Sequence, residues 1–298
     1  MANIGETILA TDYNAIRNKI IDVMGAGSAS FGYGQTIVSS AVSNSERVTK
    51  VQWDNLRFDI INARVHQTGE LPSIVQVTTT EPIRYSAASP NYQYSIIADT
   101  ARNERFNLGT GQFAITPAAS RTTTATWSAS QSITLTVNFS TAQQARYFFN
   151  SGGKIRFSSS RTGGSSTQQN QAWSNLLSSA GTSDFGANAP TVSFYNLTNI
   201  PQTCFTYSAT SPYSSNNYRI SAYCNVVNNI GGTATQITFV ISYTDAYVDL
   251  NPSTPPGDSV DGTLSITVEQ IKAAGTLLPT GTFSVIAPTY SITTFSGS

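Results

Sequence analysis

Ile133-Thr-Leu-Thr-Val-Asn-Phe139 decides the fold. Apolar side chains stand at 133, 135, 137 and 139, with Thr134, Thr136 and Asn138 between them. A strand turns successive side chains to opposite faces, so this alternation describes a half-buried strand. Ile237, Phe239, Ile241 and Tyr243 repeat it. Ile74–Thr79, Arg219–Val227, Leu264–Val268 and Thr282–Tyr290 are further strand candidates. Ser211-Pro212, Gly231-Gly232, Pro255-Pro256-Gly257 and Gly281 supply turns between them. Many short strands joined by polar turns predict a mainly β chain organised as an antiparallel β-sandwich.

Upstream of the strands the period changes to that of a helix. A first helix is expected over Asp12–Met24, with Thr11 as N-cap, Ile16, Ile20, Val23 and Met24 on one face, and Gly25 at its end. A second is expected over Lys50–His66, where Thr49 and Gln52 form a capping box and Leu56, Ile60 and Ala63 supply the stripe. YNAIRNKIID (Tyr13–Asp22) matches WDNLRFDIIN (Trp53–Asn62) in its leading aromatic, its Arg and its Ile-Ile doublet, which suggests a duplicated unit forming a helix pair. The glycine-rich GAGSASFGYGQ (Gly25–Gln35) between them has no Lys-Ser or Lys-Thr after its glycines and is no phosphate loop. Two short helices are expected within the sandwich, Thr141–Asn150 ending at Gly152-Gly153, and Gln168–Ala180 capped by Thr167. The RTGGSS stretch (Arg161–Ser166) between them is expected to be a mobile loop. The division follows: residues 1–72 as a helical attachment or oligomerisation segment, 73–298 as the β-sandwich.

Chemistry is scarce. Charged residues make up 11% of the chain, against roughly 25% in an average soluble domain. Sixteen basic residues balance sixteen acidic ones, and His66 is the one histidine. Neutral hydroxyls and amides cost less to desolvate than ions, so such a surface suits burial against other chains. Zero net charge argues against a nucleic-acid partner, whose phosphates call for Lys and Arg. No stretch of about 18 apolar residues predicts a membrane span, and MANIGETILATDYN lacks the basic and apolar regions of a secretory signal.

Enzyme motifs are missing. Neither Gly-x-Ser-x-Gly nor His-Glu-x-x-His occurs, and His66 at a helix end reads as a dipole cap or an exposed side chain. Asp99 with Glu104, or Asp245 with Asp249, would be the carboxylate pairs of an acid–base enzyme; solvated loop carboxylates are the simpler reading. Asp245, Asp249, Asn251, Asp258 and Asp261 could offer oxygens to calcium, but their spacing fits no EF-hand. No catalytic, cofactor or metal site is therefore assigned. Cys204 and Cys224 fall opposite each other if their strands form a hairpin around Ser214; buried thiols are favoured over a disulfide in a protein assembled in cytoplasm. Tyr207, Tyr213, Tyr218 and Tyr223 crowd that hairpin, with Tyr207 and Tyr223 expected to pack on the sheet. Tyr213 and Tyr218, beside Ser214, Ser215, Asn216 and Asn217, are the candidate recognition loop, for a glycan or a subunit contact.

ARYFFNSGGKIRFS (Ala145–Ser158), with GGSSTQQNQAWSNLLSSAG (Gly163–Gly181), resembles a module of virion structural proteins of tailed bacteriophages, cyanophages included. TDYNAIRNKIIDVMGAGSASFGYGQ (Thr11–Gln35) is similar to the start of such proteins. The resemblance implies a structural role in the virion, assembled in the host cytoplasm, without enzymatic activity or cofactor. Its partners would be other virion proteins and further copies of itself, as a trimer or larger ring in the tail (baseplate, neck or fibre region), with a host surface glycan as a further candidate. Ile16, Ile20, Leu56 and Ile60 are the candidate interface residues. A capsid decoration protein and a receptor- or polysaccharide-binding tip are the alternatives.

Overall fold

A computed structural model describes residues 10–77, 94–248 and 259–297. In chain order the elements are α1 (Ala10–Met24), α2 (Lys50–Thr68), α3 (Tyr94–Asn103), β1 (Phe113–Thr123), β2 (Ser130–Asn138), α4 (Ala142–Asn150), β3 (Lys154–Thr162), α5 (Gln168–Ala180), β4 (Thr182–Gly186), β5 (Gln202–Ser208), β6 (Asn217–Cys224), β7 (Gln236–Thr244) and β8 (Thr263–Ala273). Four short strands follow: β9 (Gly275–Thr276), β10 (Thr282–Phe283), β11 (Thr289–Ile292) and β12 (Ser296–Gly297). The chain is mainly β, with an N-terminal helical segment and antiparallel sheets interrupted by short helices; among the described residues no sheet closes into a barrel.

Two compact units emerge. The first comprises Met1–Ala114, Arg146–Gly153 and Lys272–Ile286, and so takes in more of the chain than residues 1–72. The second comprises Ile115–Ala145, Lys154–Ile271 and Ala287–Ser298.

In the first unit aromatics link the helices. Tyr13 of α1 meets Trp53 of α2 edge-on at 5.2 Å, and Trp53 meets Tyr94 of α3 at 5.3 Å. Such pairs add to the free energy of the area they bury. Thr49 and Gln52 form both halves of the expected capping box, and Gly69 closes α2 at φ 79°. Thr11 is not a cap: it lies within α1. The glycine-rich loop folds back on the end of α1, with the Tyr33 amide donating to the Val23 carbonyl and the Gln35 amide to that of Met24. Gly34 sits at φ +70°, and a Cβ there would lie 2.3 Å from the Tyr147 ring. Asp59 accepts from the Val38 and Ser39 amides at 2.9 and 2.8 Å, fixing the segment between the helices. Burial raises the proton affinity of this carboxyl, against the pull of those donors. Ile74–Val77, expected as the start of a strand, is irregular. Ile74 and Val77 belong to the helical core, and the Ile74 carbonyl accepts from the Arg57 Nε at 3.0 Å instead of joining a ladder. Residues 78 and 79 lie outside the described residues.

The second unit holds two sheets, one ordered β11-β2-β7-β6-β5, with β12 also on β2, and one ordered β1-β8-β3-β4. Ile133, Leu135 and Val137 point inward opposite Ile241, Phe239 and Ile237, the register that the alternation requires. The sheets meet at Phe239, whose ring lies 5.0 Å from both Phe157 of β3 and Phe185 of β4. Ser159 Oγ and the Tyr243 hydroxyl share a 2.7 Å hydrogen bond across the same core. The expected strand Thr282–Tyr290 is divided: β10 pairs with β9, and β11 with β2.

Candidate functional site

Three of the four candidate interface residues belong to the interior of their own chain. Ile20, Leu56 and Ile60 are buried, and Ile16 packs against the same core half-exposed. The stripes of α1 and α2 meet each other and α3 within the chain.

His66 is no surface cap. It is buried, with its Nε2 donating to the Ser151 carbonyl at 2.9 Å. Burial lowers its pKa to about 4, against the opposing pull of that carbonyl. Asp99 and Glu104 are not paired with each other: Asp99 binds Lys19 at 2.7 Å, and Glu104 binds Arg64 at 2.5 Å. Asp249, Asn251 and Asp258 lie outside the described residues. Asp245 is buried and accepts from Gln169 at 2.5 Å. Asp261 accepts from the Ser165 amide, from Arg161 and, closely, from Asn170. Those bonds depress the Asp261 pKa, the Ser165 amide contributing most. They also tie Arg161 and Ser165 of the RTGGSS stretch, expected to be mobile, to Asp261. Arg161 at its start is buried, with a further bond to the Asn170 carbonyl at 3.1 Å. Among the described residues no three His, Cys, Asp or Glu side chains converge on a metal position, and no helix is long and apolar enough to cross a membrane.

Cys204 and Cys224 are free thiols. Strands β5 and β6 do form a hairpin, but its register pairs Thr203 with Ser221 and Phe205 with Ile220, leaving Cys204 in the bulge. Cys224 lies beyond the pairing and faces Ile237 instead.

The hairpin also separates the two recognition candidates. Tyr218 is 1% exposed and stacks on Tyr243 with ring centroids 5.2 Å apart, so it belongs to the core. Tyr213 is half-buried, braced by Tyr247 at 4.6 Å, and lines a groove. One wall of that groove is α5, through Gln168, Gln171, Asn175 and Ser179; the other is the Tyr207–Tyr213 segment. The helix residues recur three or four positions apart, so they form one line along its surface. Tyr207 pairs with Tyr218 in register and therefore stands on the same sheet face, where the groove leaves it 37% exposed. The volume is about 240 Å³, and no lining residue is charged.

At the other end of β5 and β6 the loops expose branched aliphatics. Ile200 is 67% exposed, and Val227 and Ile230 are each 73% exposed. The Thr198–Asn228 bridge and the bond from the Asn229 amide to the Leu197 carbonyl (2.9 Å) hold these loops side by side. Between Arg161 and Asp245 the charged residues are Asp184 and Arg219 alone. An average composition would place roughly twenty there, so both the groove and the apolar tip lie in a region emptied of ions.

Sequence reasoning finds Tyr213 but misses the amides of α5, which look like any solvated helix face until the hairpin is set beside them. No family model, curated protein or solved structure matches this chain.

Proposed function

We propose that this chain is a non-enzymatic structural component of a tailed-bacteriophage virion, in the tail, where it acts through association with copies of itself. The observation that carries the reading is the apolar tip, Ile200, Val227 and Ile230, in a region with two charges between Arg161 and Asp245. Exposed aliphatics on adjoining, hydrogen-bonded loops favour burial against another surface. Neutral amides and hydroxyls around them are desolvated at lower cost than ions. The tip takes over the role first given to α1 and α2, whose apolar faces are already covered. The resemblance of Ala145–Ser158 to phage structural modules supplies the virion context, and the tip is compatible with closed rings of copies.

Three kinds of measurement test this. Mass spectrometry and antibody labelling of purified particles should find the chain in the tail; its absence from particles overturns the virion reading. Light scattering of the purified chain should give an oligomer that Val227→Asp with Ile230→Asp reduces to monomer. An oligomer unchanged by that pair of substitutions removes the tip from the contact. Binding to expanded empty heads without tails would favour a capsid decoration role instead.

A further inference from the structure

We propose that the groove between α5 and the Tyr207–Tyr213 segment is a binding site for a neutral saccharide, of one or two sugar units. The inference goes beyond the assembly reading, because the groove and the apolar tip occupy opposite ends of β5. Seven residues at the strand rise separate Ile200 from Tyr207, roughly 20 Å.

The chemistry of the walls selects the ligand. Gln168, Gln171 and Asn175 each carry an amide that both donates and accepts, the arrangement that matches adjacent hydroxyls on a sugar ring. Ser179 and Ser211 add hydroxyls on opposite sides. Tyr207 and Tyr213 line the groove with aromatic rings, and a pyranose offers a face of C–H groups with hydroxyls around its rim. An anionic ligand would find no cation among these residues, and a cationic one no carboxylate. At about 240 Å³ the groove is smaller than the apolar pockets of drug-sized ligands, which run from about 300 Å³ upward. Its walls are preorganised: α5 is capped by Thr167, whose side chain accepts from the Asn170 amide, and Tyr213 is braced by Tyr247.

The test is saturation-transfer NMR on the full chain with lactose, maltose, N,N′-diacetylchitobiose and sialyllactose. The expected result is transfer to at least one of the neutral disaccharides, with sialyllactose no better bound than lactose. Gln171→Ala and Asn175→Ala should each weaken binding by about tenfold, the loss of roughly one good hydrogen bond. Both substitutions lie on an exposed helix face, where alanine favours the helix, so folding is preserved. Tyr207→Phe should retain binding and Tyr207→Ala lose it. Val227→Asp with Ile230→Asp should leave sugar binding intact, so failure of the assembly reading is distinguishable from failure of this one. Transfer to none of the neutral sugars overturns the proposal, as does undiminished transfer in the Gln171→Ala, Asn175→Ala double variant or tighter binding of sialyllactose than lactose.

Discussion

The His66 imidazole lies flat on the Phe283 ring, with centroids 4.2 Å apart and planes 5° from parallel. The Tyr33 ring closes a further side at 4.9 Å, and Nε2 is committed to the Ser151 carbonyl. Nδ1 is buried without a hydrogen-bond partner, so a proton added there would put an unsolvated cation among rings.

Acid should therefore weaken the fold in a defined window. Well above the unfolded pKa of about 6.5 the imidazole is neutral in both folded and unfolded chains, and the contribution to stability is whole. Between there and the folded pKa of about 4, the unfolded chain takes up a proton that the folded one refuses. At pH about 4.5 the loss reaches roughly 2.5 kcal/mol. Urea unfolding of the wild type and His66→Gln at pH about 7.5 and 4.5 should show this excess loss in the wild type alone. Equal losses in both would contradict it.

Two glycines of nearly equal φ separate backbone strain from crowding. Gly34 is at φ +70° against the Tyr147 ring, whereas Gly163 is at φ +69° and a Cβ there would have no neighbour within 4 Å. Gly163→Ala should cost about 1 kcal/mol, the penalty for a left-handed alanine. Gly34→Ala should cost at least about 3 kcal/mol, because a ring in a packed core must also move. Unfolding midpoints measure both, and similar values would remove the proposed clash.

The thiols should behave as buried groups. Burial pushes Cys204 up to about 12 and raises Cys224 as well. The thiolate is the reactive species, so iodoacetamide at pH about 8 should label the native chain far more slowly than the urea-unfolded chain. Intact mass without reductant should show both thiols free; a species two hydrogens lighter would mean a disulfide.

Asp261 and Arg161 predict an asymmetry. Arg161 has 4% of its side-chain surface exposed and Asp261 has 32%. Asp261→Ala leaves the buried guanidinium with fewer acceptors and removes the carboxylate that the Ser165 amide and hydroxyl bind, whereas Asn170 keeps the Ser165 carbonyl and hydroxyl. A cost of about 2 kcal/mol or more is expected. Adding Arg161→Met should recover part of it, because no cation then remains to be solvated. A strictly additive double mutant would argue that the two side chains are independent.

The strands legible in the sequence are those with one wet face. β2 and β7 alternate because their inner residues fill the sandwich and their outer ones meet solvent. α3 is hard to read because it is short, ten residues, and its buried side chains, Tyr94, Ser95, Ala98 and Ala101, are mostly small. Tyr218 misleads because β6 starts at Asn217, which places it inside with Ile220, Ala222 and Cys224 instead of at the hairpin tip. The bulge at Cys204 has no signature in the residues around it. The groove is half legible: an aromatic hairpin advertises itself, whereas Gln168, Gln171 and Asn175 acquire meaning from a neighbour distant in the chain.

The matching decapeptides of α1 and α2 place Tyr13 against Trp53 and bury both Ile20 and Ile60. A single such helix would have to find its mate by collision, at a rate set by protein concentration. Carried in tandem on one polypeptide, the two halves meet by a unimolecular event. Dilution that would dissociate a ring of separate subunits leaves this pairing untouched.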